Sequence, residues 1–374
     1  MNETLPLKVL CIVGARPNFM KIAPLMRAFN NDPLRFKPIL LHTGQHYDEA
    51  MKASFFNQLG IPEPDIDLEV GSGSHAQQTA QIMLRFEPVL DELKPDVLLV
   101  VGDVNSTIAC ALVAVKKHLP VVHVEAGLRS GDRAMPEEIN RILTDQISDV
   151  LYTTEIDALD NLLREGVSAE RVIFVGNVMI DTLVANRKKS VPAKETISNI
   201  ENFTGSVENY GVLTMHRPSN VDDAVTLKSL IETLVDISND IPLIFPIHPR
   251  TAANIKQAGL NHLLEKSGIA QVPPMSYLQL LGLMADARLV LSDSGGIQEE
   301  TTALGVPCIT LRENTERPIT VTQGTNTIVG IDAALIRASV DDVLSSGGKT
   351  GRIPELWDGN AAIRIADHLF SRYR

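Results

Sequence analysis

The chain has 374 residues and a mass of 40.8 kDa, and its 34 Lys plus Arg against 46 Asp plus Glu give a formal charge of −12. That length predicts about two domains, and hydrophobic residues at 44% with charged residues at 21% supply a buried core and exclude a disordered polymer. The acid excess argues against a nucleic-acid binder, which needs a clustered Lys and Arg surface, while leaving room for a local basic pocket.

The opening MNETLPLKVLCIVG carries an acid before its apolar run and has no basic stretch, so it reads as a first buried strand rather than an export signal, and a cytoplasmic location is expected. No uninterrupted apolar run of about 18 residues occurs, so no membrane helix is expected. Cys11, Cys110 and Cys308 lie far apart in apolar segments without CxxC spacing, which reads as three buried thiols in a reducing compartment.

Short apolar runs then alternate with longer amphipathic stretches, the pattern of βαβ units on a parallel sheet. In the first half, runs at Lys8–Val13, Pro38–Thr43, Val97–Val101, Val121–Val124, Val150–Tyr152 and Val172–Val175 are separated by helical patterns at Ile22–Asn30, His75–Leu93, Thr107–His118 and Glu138–Ile147. The polar stretch Arg187–Glu208 reads as a linker. The second half repeats the scheme with runs at Gly211–Met215, Leu243–Ile247, Leu289–Leu291 and Pro307–Leu311, and Ala361–Phe370 reads as a last helix. The fold class expected is α/β, with two doubly wound domains.

Such domains bind ligands beyond the carboxyl ends of their strands. There the sequence is polar: Gly14-Ala15-Arg16-Pro17-Asn18, Gly44-Gln45-His46, Gly102-Asp103, Glu125-Ala126-Gly127, His216-Arg217, His248-Pro249-Arg250 and Asp293-Ser294-Gly295-Gly296. Three patterns are set aside. Ser346-Gly347-Gly348-Lys349-Thr350 ends like a phosphate loop but has Val343 at the first glycine position and no preceding strand, so it reads as a surface turn. Asp65-Ile66-Asp67 follows a Pro-Glu-Pro turn, alternates like a half-exposed strand and reads as structural. His42 and His46 lie on a strand end and share no face, so no zinc or other metal is expected. No GxGxxG follows the first strand, which weakens a dinucleotide-dependent reading.

Asp293 through Glu300 follows an apolar run and opens an amphipathic helix. Small residues at a helix start let backbone N–H groups approach an anion. An Asp/Ser cap with a tight turn explains the same residues. The glycine pair Gly295-Gly296, with Glu299 and Glu300 as acceptors for ribose hydroxyls, points to a nucleotide diphosphate, and Arg16, Lys21 and Arg317 are candidate cations for it. Asp103, Glu125 and Glu137 form an acidic set: carboxylates converging on one site raise one another's pKa and suit acid–base work. Glu137 by itself reads better as helix-start stabilisation by the dipole. His216 is a candidate proton donor or phosphate ligand.

The series GARPNFMKIAPL, TGQHYD, GDVNST, HVEAGLRS, MPEEINR, MHRPSN, HPR, SDSGGIQEE, LGVP and TERPITV, in this order over about Gly14–Gly330, closely resembles the non-hydrolysing UDP-N-acetylglucosamine 2-epimerases. The resemblance implies a GT-B architecture, two Rossmann-like domains with the active site in the cleft. The domain spans expected are 1–178 plus about 361–374, and 179–360. It also implies interconversion of UDP-N-acetylglucosamine and UDP-N-acetylmannosamine. The C2 proton is removed as UDP leaves C1, and UDP then adds back to enzyme-bound 2-acetamidoglucal, with no redox cofactor or metal. Carried over by residue, Asp103, Glu125, Glu137 and His216 match catalytic positions. Arg16, Lys21, His216, Ser294, Gly295, Gly296, Glu300 and Arg317 match UDP-binding positions. A homodimer, no nucleic-acid or membrane partner, and a role in surface polysaccharide supply are implied as well.

One motif departs. Many bacterial members read His-Arg-Arg-Glu-Asn where this chain has His216-Arg217-Pro218-Ser219-Asn220. In those members this region and the glutamine–histidine loop border a second, activating UDP-N-acetylglucosamine site. Gln45, His46, Arg217 and His248 are the positions here that match it; the altered motif counts against activation and also points to a related substrate, a UDP-diacetamido uronic acid or UDP-6-deoxy sugar. A hydrolysing epimerase, a GT-B glycosyltransferase and a sugar-nucleotide binding protein are the other readings.

Overall fold

The computed structural model describes residues 5–44, 58–201 and 203–374, with the side chain of Arg16 outside the described part. Gln45 and His46 therefore also lie outside it. The chain forms two compact units, Met1–Ala185 with Glu355–Arg374, and Asn186–Pro354.

In the first unit, seven strands among the described residues lie in the order β3-β2-β1-β4-β5-β6-β7: β1 Leu7–Val13, β2 Phe36–His42, β3 Ile66–Asp67, β4 Val97–Val101, β5 Val121–Ala126, β6 Val150–Thr153 and β7 Val172–Phe174. Every ladder among them is parallel. This is the doubly wound order, whose switch point lies between β1 and β4. Central strands are covered on both faces and hence read as unbroken apolar runs. All five residues of β4, Val-Leu-Leu-Val-Val, are buried, each stabilising the fold by roughly 1.5–3 kcal/mol. Helices His75–Leu93 and Asn105–Lys116 pack Ile82, Phe86, Leu90, Ala109 and Val113 into the same core.

The second unit repeats the scheme with six strands, β8 Gly211–Thr214, β9 Leu243–Pro246, β10 Ile269–Val272, β11 Leu289–Ser292, β12 Cys308–Thr310 and β13 Asn326–Ile328, in the order β10-β9-β8-β11-β12-β13. These ladders are also parallel. The two sheets with alternating helices establish the α/β class.

The chain passes into the second unit at Ala185–Asn186 and returns at Pro354–Glu355, not at 178–179 and near 361. Hydrogen bonds explain the shift. The helix Val178–Arg187 is tied to the first unit by the Thr182 hydroxyl, which donates to the Met20 carbonyl at 2.6 Å. Asp181 accepts from the N–H groups of Ala361 and Ala362, capping the final helix Ala361–Tyr373. The Trp357 indole donates to the Thr154 carbonyl at 2.9 Å and so draws the segment before that helix along. The stretch Arg187–Glu208 is not a free linker: the Val191 N–H donates to the Leu278 carbonyl, and Ala193 and Thr196 of the helix Ala193–Ser198 are buried.

The patterns set aside from the sequence have structural occupations. Asp65 accepts from the Leu40 N–H at 2.8 Å, and Asp67 holds the His42 ring at 2.9 Å. Gly347, with φ +88°, caps the helix Ala333–Ser346, and the Lys349 ammonium is bound to the Val321 and Asn326 carbonyls. The three thiols are free and buried, and burial pushes the Cys308 thiol up to about 11.

Candidate active site

At the switch point of the first unit, Gly14, directly after β1, has no room for a side chain. A Cβ on Gly14 would fall 1.9 Å from the Ser106 hydroxyl. Asn18, one turn into the helix Arg16–Asn30, accepts from the N–H groups of Gly14 and Ala15 and donates to the Val101 carbonyl at 3.0 Å, joining β1 to β4. The same helix carries Lys21 inward to an ion pair with Glu125, the side chains only 5% and 3% exposed. Glu125 reaches it because the β5–β6 register shifts between Val124 and Ala126, leaving Glu125 as a bulge residue with φ +71°. Such a bulge re-aims a side chain at a cost in backbone strain that recurs at functional sites.

Asp103 follows Gly102, whose φ of +66° turns the chain sharply out of β4. Its carboxylate pairs with Arg141, which also pairs with Glu138. Glu138 is buried and accepts from the N–H groups of Ser130 (3.1 Å) and Gly131 (2.9 Å), fixing the loop before the helix Pro136–Ile147. Asn140 donates to the Asp103 carbonyl at 3.0 Å. Two carboxylates, Asp103 and Glu125, thus sit at adjacent strand ends, each held by its own cation. Glu137 is half-buried in the first helical turn, with no partner among the described residues.

In the second unit the chemistry gathers after β8, β11 and β12. Asp293, fully buried, accepts from the backbone N–H groups of His216 (2.9 Å) and Arg217 (2.8 Å), from the Asn220 amide and from His216 Nδ1 at 2.9 Å. Burial opposes its ionisation, but His216 and these donors outweigh it and hold the carboxyl below its usual range. With Nδ1 so fixed, the His216 ring, 46% exposed, presents Nε2 outward. Its centroid lies 6.2 Å from that of His248.

The helix Gly295–Leu304 starts directly after Ser294, and Gly305, with φ +73°, ends it. A Cβ on Gly295 would meet a Glu316 carboxylate oxygen at 2.7 Å and Arg317 Nη1 at 3.1 Å, so glycine is what lets this backbone approach the charged cluster. Arg317 is held by Glu299 at 2.9 Å and Glu316 at 2.8 Å, and Glu316 also pairs with Arg312 at 2.8 Å and Arg217 at 3.5 Å. Burial raises the Glu316 carboxyl, but the three guanidiniums overcome that and hold it far below the ordinary range. Glu300 accepts from the Tyr277 hydroxyl at 2.9 Å. Helix N–H groups beside buried arginines and an anchored imidazole form a cradle suited to a diphosphate.

A UDP-N-acetylglucosamine 2-epimerase family model matches residues 27–370. The chain belongs to this family. By that membership the protein is an epimerase. The Methanocaldococcus jannaschii UDP-N-acetylglucosamine 2-epimerase is 43% identical, over 91% of this chain and 93% of its own. The Pseudomonas aeruginosa UDP-2,3-diacetamido-2,3-dideoxy-D-glucuronate 2-epimerase is 40% identical, over 97% of this chain and 99% of its own. The crystal structure of the M. jannaschii enzyme with UDP-GlcNAc and UDP superposes with a TM-score of 0.86 at 40% identity, covering 98% of this chain and 100% of that one.

Among the epimerase positions expected from the sequence, Lys21, Asp103 and Glu125 come together around the β1, β4 and β5 ends. His216, Arg217, Ser294, Gly295, Gly296 and Arg317 come together in the second unit. Glu300 is engaged with Tyr277, and Arg16 contributes only its backbone to the described structure. Sequence reasoning missed Asn18, Glu138, Arg141, Arg312 and Glu316 as holders of these groups. A signal existed for two: Glu138 and Arg141 lie three apart on the buried face of a helix, where charges are costly unless paired. No helix among the described residues is long and apolar enough to cross a membrane.

Proposed function

We propose that the protein reversibly epimerises UDP-N-acetylglucosamine at C2 to UDP-N-acetylmannosamine. The C2 proton passes to an enzyme base while the C1–O bond breaks and its electron pair leaves with UDP, giving 2-acetamidoglucal. UDP oxygen then re-adds at C1 as a proton is delivered to the opposite face of C2. No electrons are gained or lost overall, so no redox carrier enters the balance.

The observation that carries this reading is the pairing of Asp103 and Glu125 at adjacent strand ends, each beside a buried cation, in a chain of this family. Asp103, Glu125 and Glu137 supply proton transfer at the sugar. The cradle of His216, Ser294, Gly295, Gly296, Glu300 and Arg317 holds UDP and stabilises the diphosphate charge as the C1–O bond breaks, the electrostatic term expected to dominate. Arg16 and Lys21, whose positions match the family's UDP-binding motif, are assigned to the nucleotide from the sequence. By sequence, Gln45, His46, Arg217 and His248 match positions that border a regulatory nucleotide-sugar site in other members of the family, and the altered His216-Arg217-Pro218-Ser219-Asn220 motif counts against such regulation here. The protein acts as a cytoplasmic homodimer feeding surface polysaccharide synthesis.

Incubation in deuterated water with a panel of UDP-sugars, read by NMR, tests the reaction. Deuterium at C2 of the UDP-sugar is expected, and recovery without label overturns the reading. A second substrate, UDP-2,3-diacetamido-2,3-dideoxyglucuronate, is favoured by the 40% identity to the P. aeruginosa enzyme of that name, and the same panel ranks the two. Free sugar in place of sugar nucleotide would mark a hydrolysing enzyme.

A further inference from the structure

Beneath the Asp103 and Glu125 strand ends lies a buried polar network that the proposed chemistry leaves without a task. His123, on β5, is fully buried. Its Nε2 faces the Gly102 carbonyl at 2.8 Å, and its Nδ1 faces Asp145 Oδ1 at 2.7 Å. A carbonyl oxygen only accepts, so Nε2 carries a proton. The Asp145 carboxyl, though burial opposes its ionisation, is held below its usual range by His123 and Arg129. Asp145 Oδ1 and the ring Nδ1 face each other, so the imidazole is held at both of its nitrogens.

The other Asp145 oxygen accepts from the Gly127 N–H at 3.0 Å and pairs with Arg129 at 2.7 Å, and Arg129 in turn pairs with Glu165 at 2.6 Å. The attachment points are specific. Gly102 immediately precedes Asp103, and its N–H donates to the Val124 carbonyl at 3.0 Å. His123 and Gly127 stand two residues before and two after Glu125, whose φ is +71°. The network therefore grips the Asp103 turn on one side and brackets the Glu125 bulge on the other. The Glu125 bulge, a non-glycine residue at positive φ, is a backbone conformation that persists only where surrounding contacts enforce it.

We propose that His123, oriented by Asp145, is a positioning residue that locks the Gly102–Asp103 turn to the Glu125 bulge and so fixes the spacing of the two carboxylates. This rests on the proposed epimerisation. Spacing held by a single ring acts on the chemical step, where small displacements are costly, more than on nucleotide affinity.

The test compares wild type, His123→Phe, His123→Gln and Asp145→Asn in the deuterium-exchange assay with UDP-N-acetylglucosamine, alongside calorimetric titration with UDP. His123→Phe is expected to lower kcat at least 100-fold with KM and the UDP Kd within threefold. His123→Gln, whose amide still reaches the Gly102 carbonyl, is expected to recover at least tenfold of that loss. A His123→Phe kcat within threefold of wild type, or equal losses in the Phe and Gln variants, overturns the positioning role. Should His123→Phe fail to fold, Asp145→Asn decides: a tenfold loss of kcat at constant KM supports the role, and an unchanged kcat overturns it. Wild type that exchanges no deuterium with any UDP-sugar refutes the proposed function and this inference with it, whereas exchange by wild type with unaltered variants refutes only the inference.

Discussion

Replacing Lys21 by Met removes a buried cation while keeping the length of the side chain. The Lys21 and Glu125 side chains are only 5% and 3% exposed, so the Glu125 carboxylate would lose its counter-charge with almost no water to replace it. Breaking a buried pair in this way costs about 3–5 kcal/mol. In a domain of this size each kcal/mol lowers Tm by roughly 2–4 °C, so calorimetry should show the first unit melting about 6–20 °C lower. The cycle is completed with Glu125→Gln and the double variant, each unfolded by urea. With no charge left to desolvate, the double variant should be more stable than Lys21→Met alone, giving a coupling of at least about 2 kcal/mol. A Lys21→Met variant within about 0.5 kcal/mol of wild type, or a double variant whose losses simply add, refutes a buried, mutually compensating pair.

Asp103→Asn and Glu125→Gln should each abolish turnover in the exchange assay with circular dichroism unchanged, and wild-type activity in both would remove them from the proposed mechanism. His216→Ala should weaken UDP binding as well as rate, and a calorimetric UDP affinity equal to wild type would count against a diphosphate contact. Gly295→Ala places a methyl 2.7 Å from Glu316 and 3.1 Å from Arg317. UDP affinity should fall about tenfold or more, about 1.4 kcal/mol, with little loss of helix stability; unchanged affinity would mean that the cluster gives way freely. Asp293 and Glu316 have folded-state pKa values below their unfolded ones. Their stabilisation is therefore full above the unfolded carboxylate range near 4 and is lost as pH falls below it. Urea unfolding between pH 6 and 3 should show this decline, and an Asp293→Asn curve with the wild-type slope would contradict it.

The sequence by itself determined the α/β class and most central strands, because strands covered on both faces must be apolar throughout. β4 was legible to the residue as Val97–Val101. The strands it hid, β10 and β13, are the two edges of the second sheet, and their partly exposed residues break the apolar run. The motif residues were legible too, since small and charged groups stand out where an apolar strand ends. What only the tertiary structure decided is how those groups are held. Arg141 meets Asp103 from 38 positions away, Asp145 meets His123 from 22, and Asn220 meets Asp293 from 73. Glu138 and not Glu137 proves to be the buried acid of the first turn of its helix. Local spacing encodes which face a residue takes within one element. The burial that makes a charge choose its partner arises only when separate elements close over it.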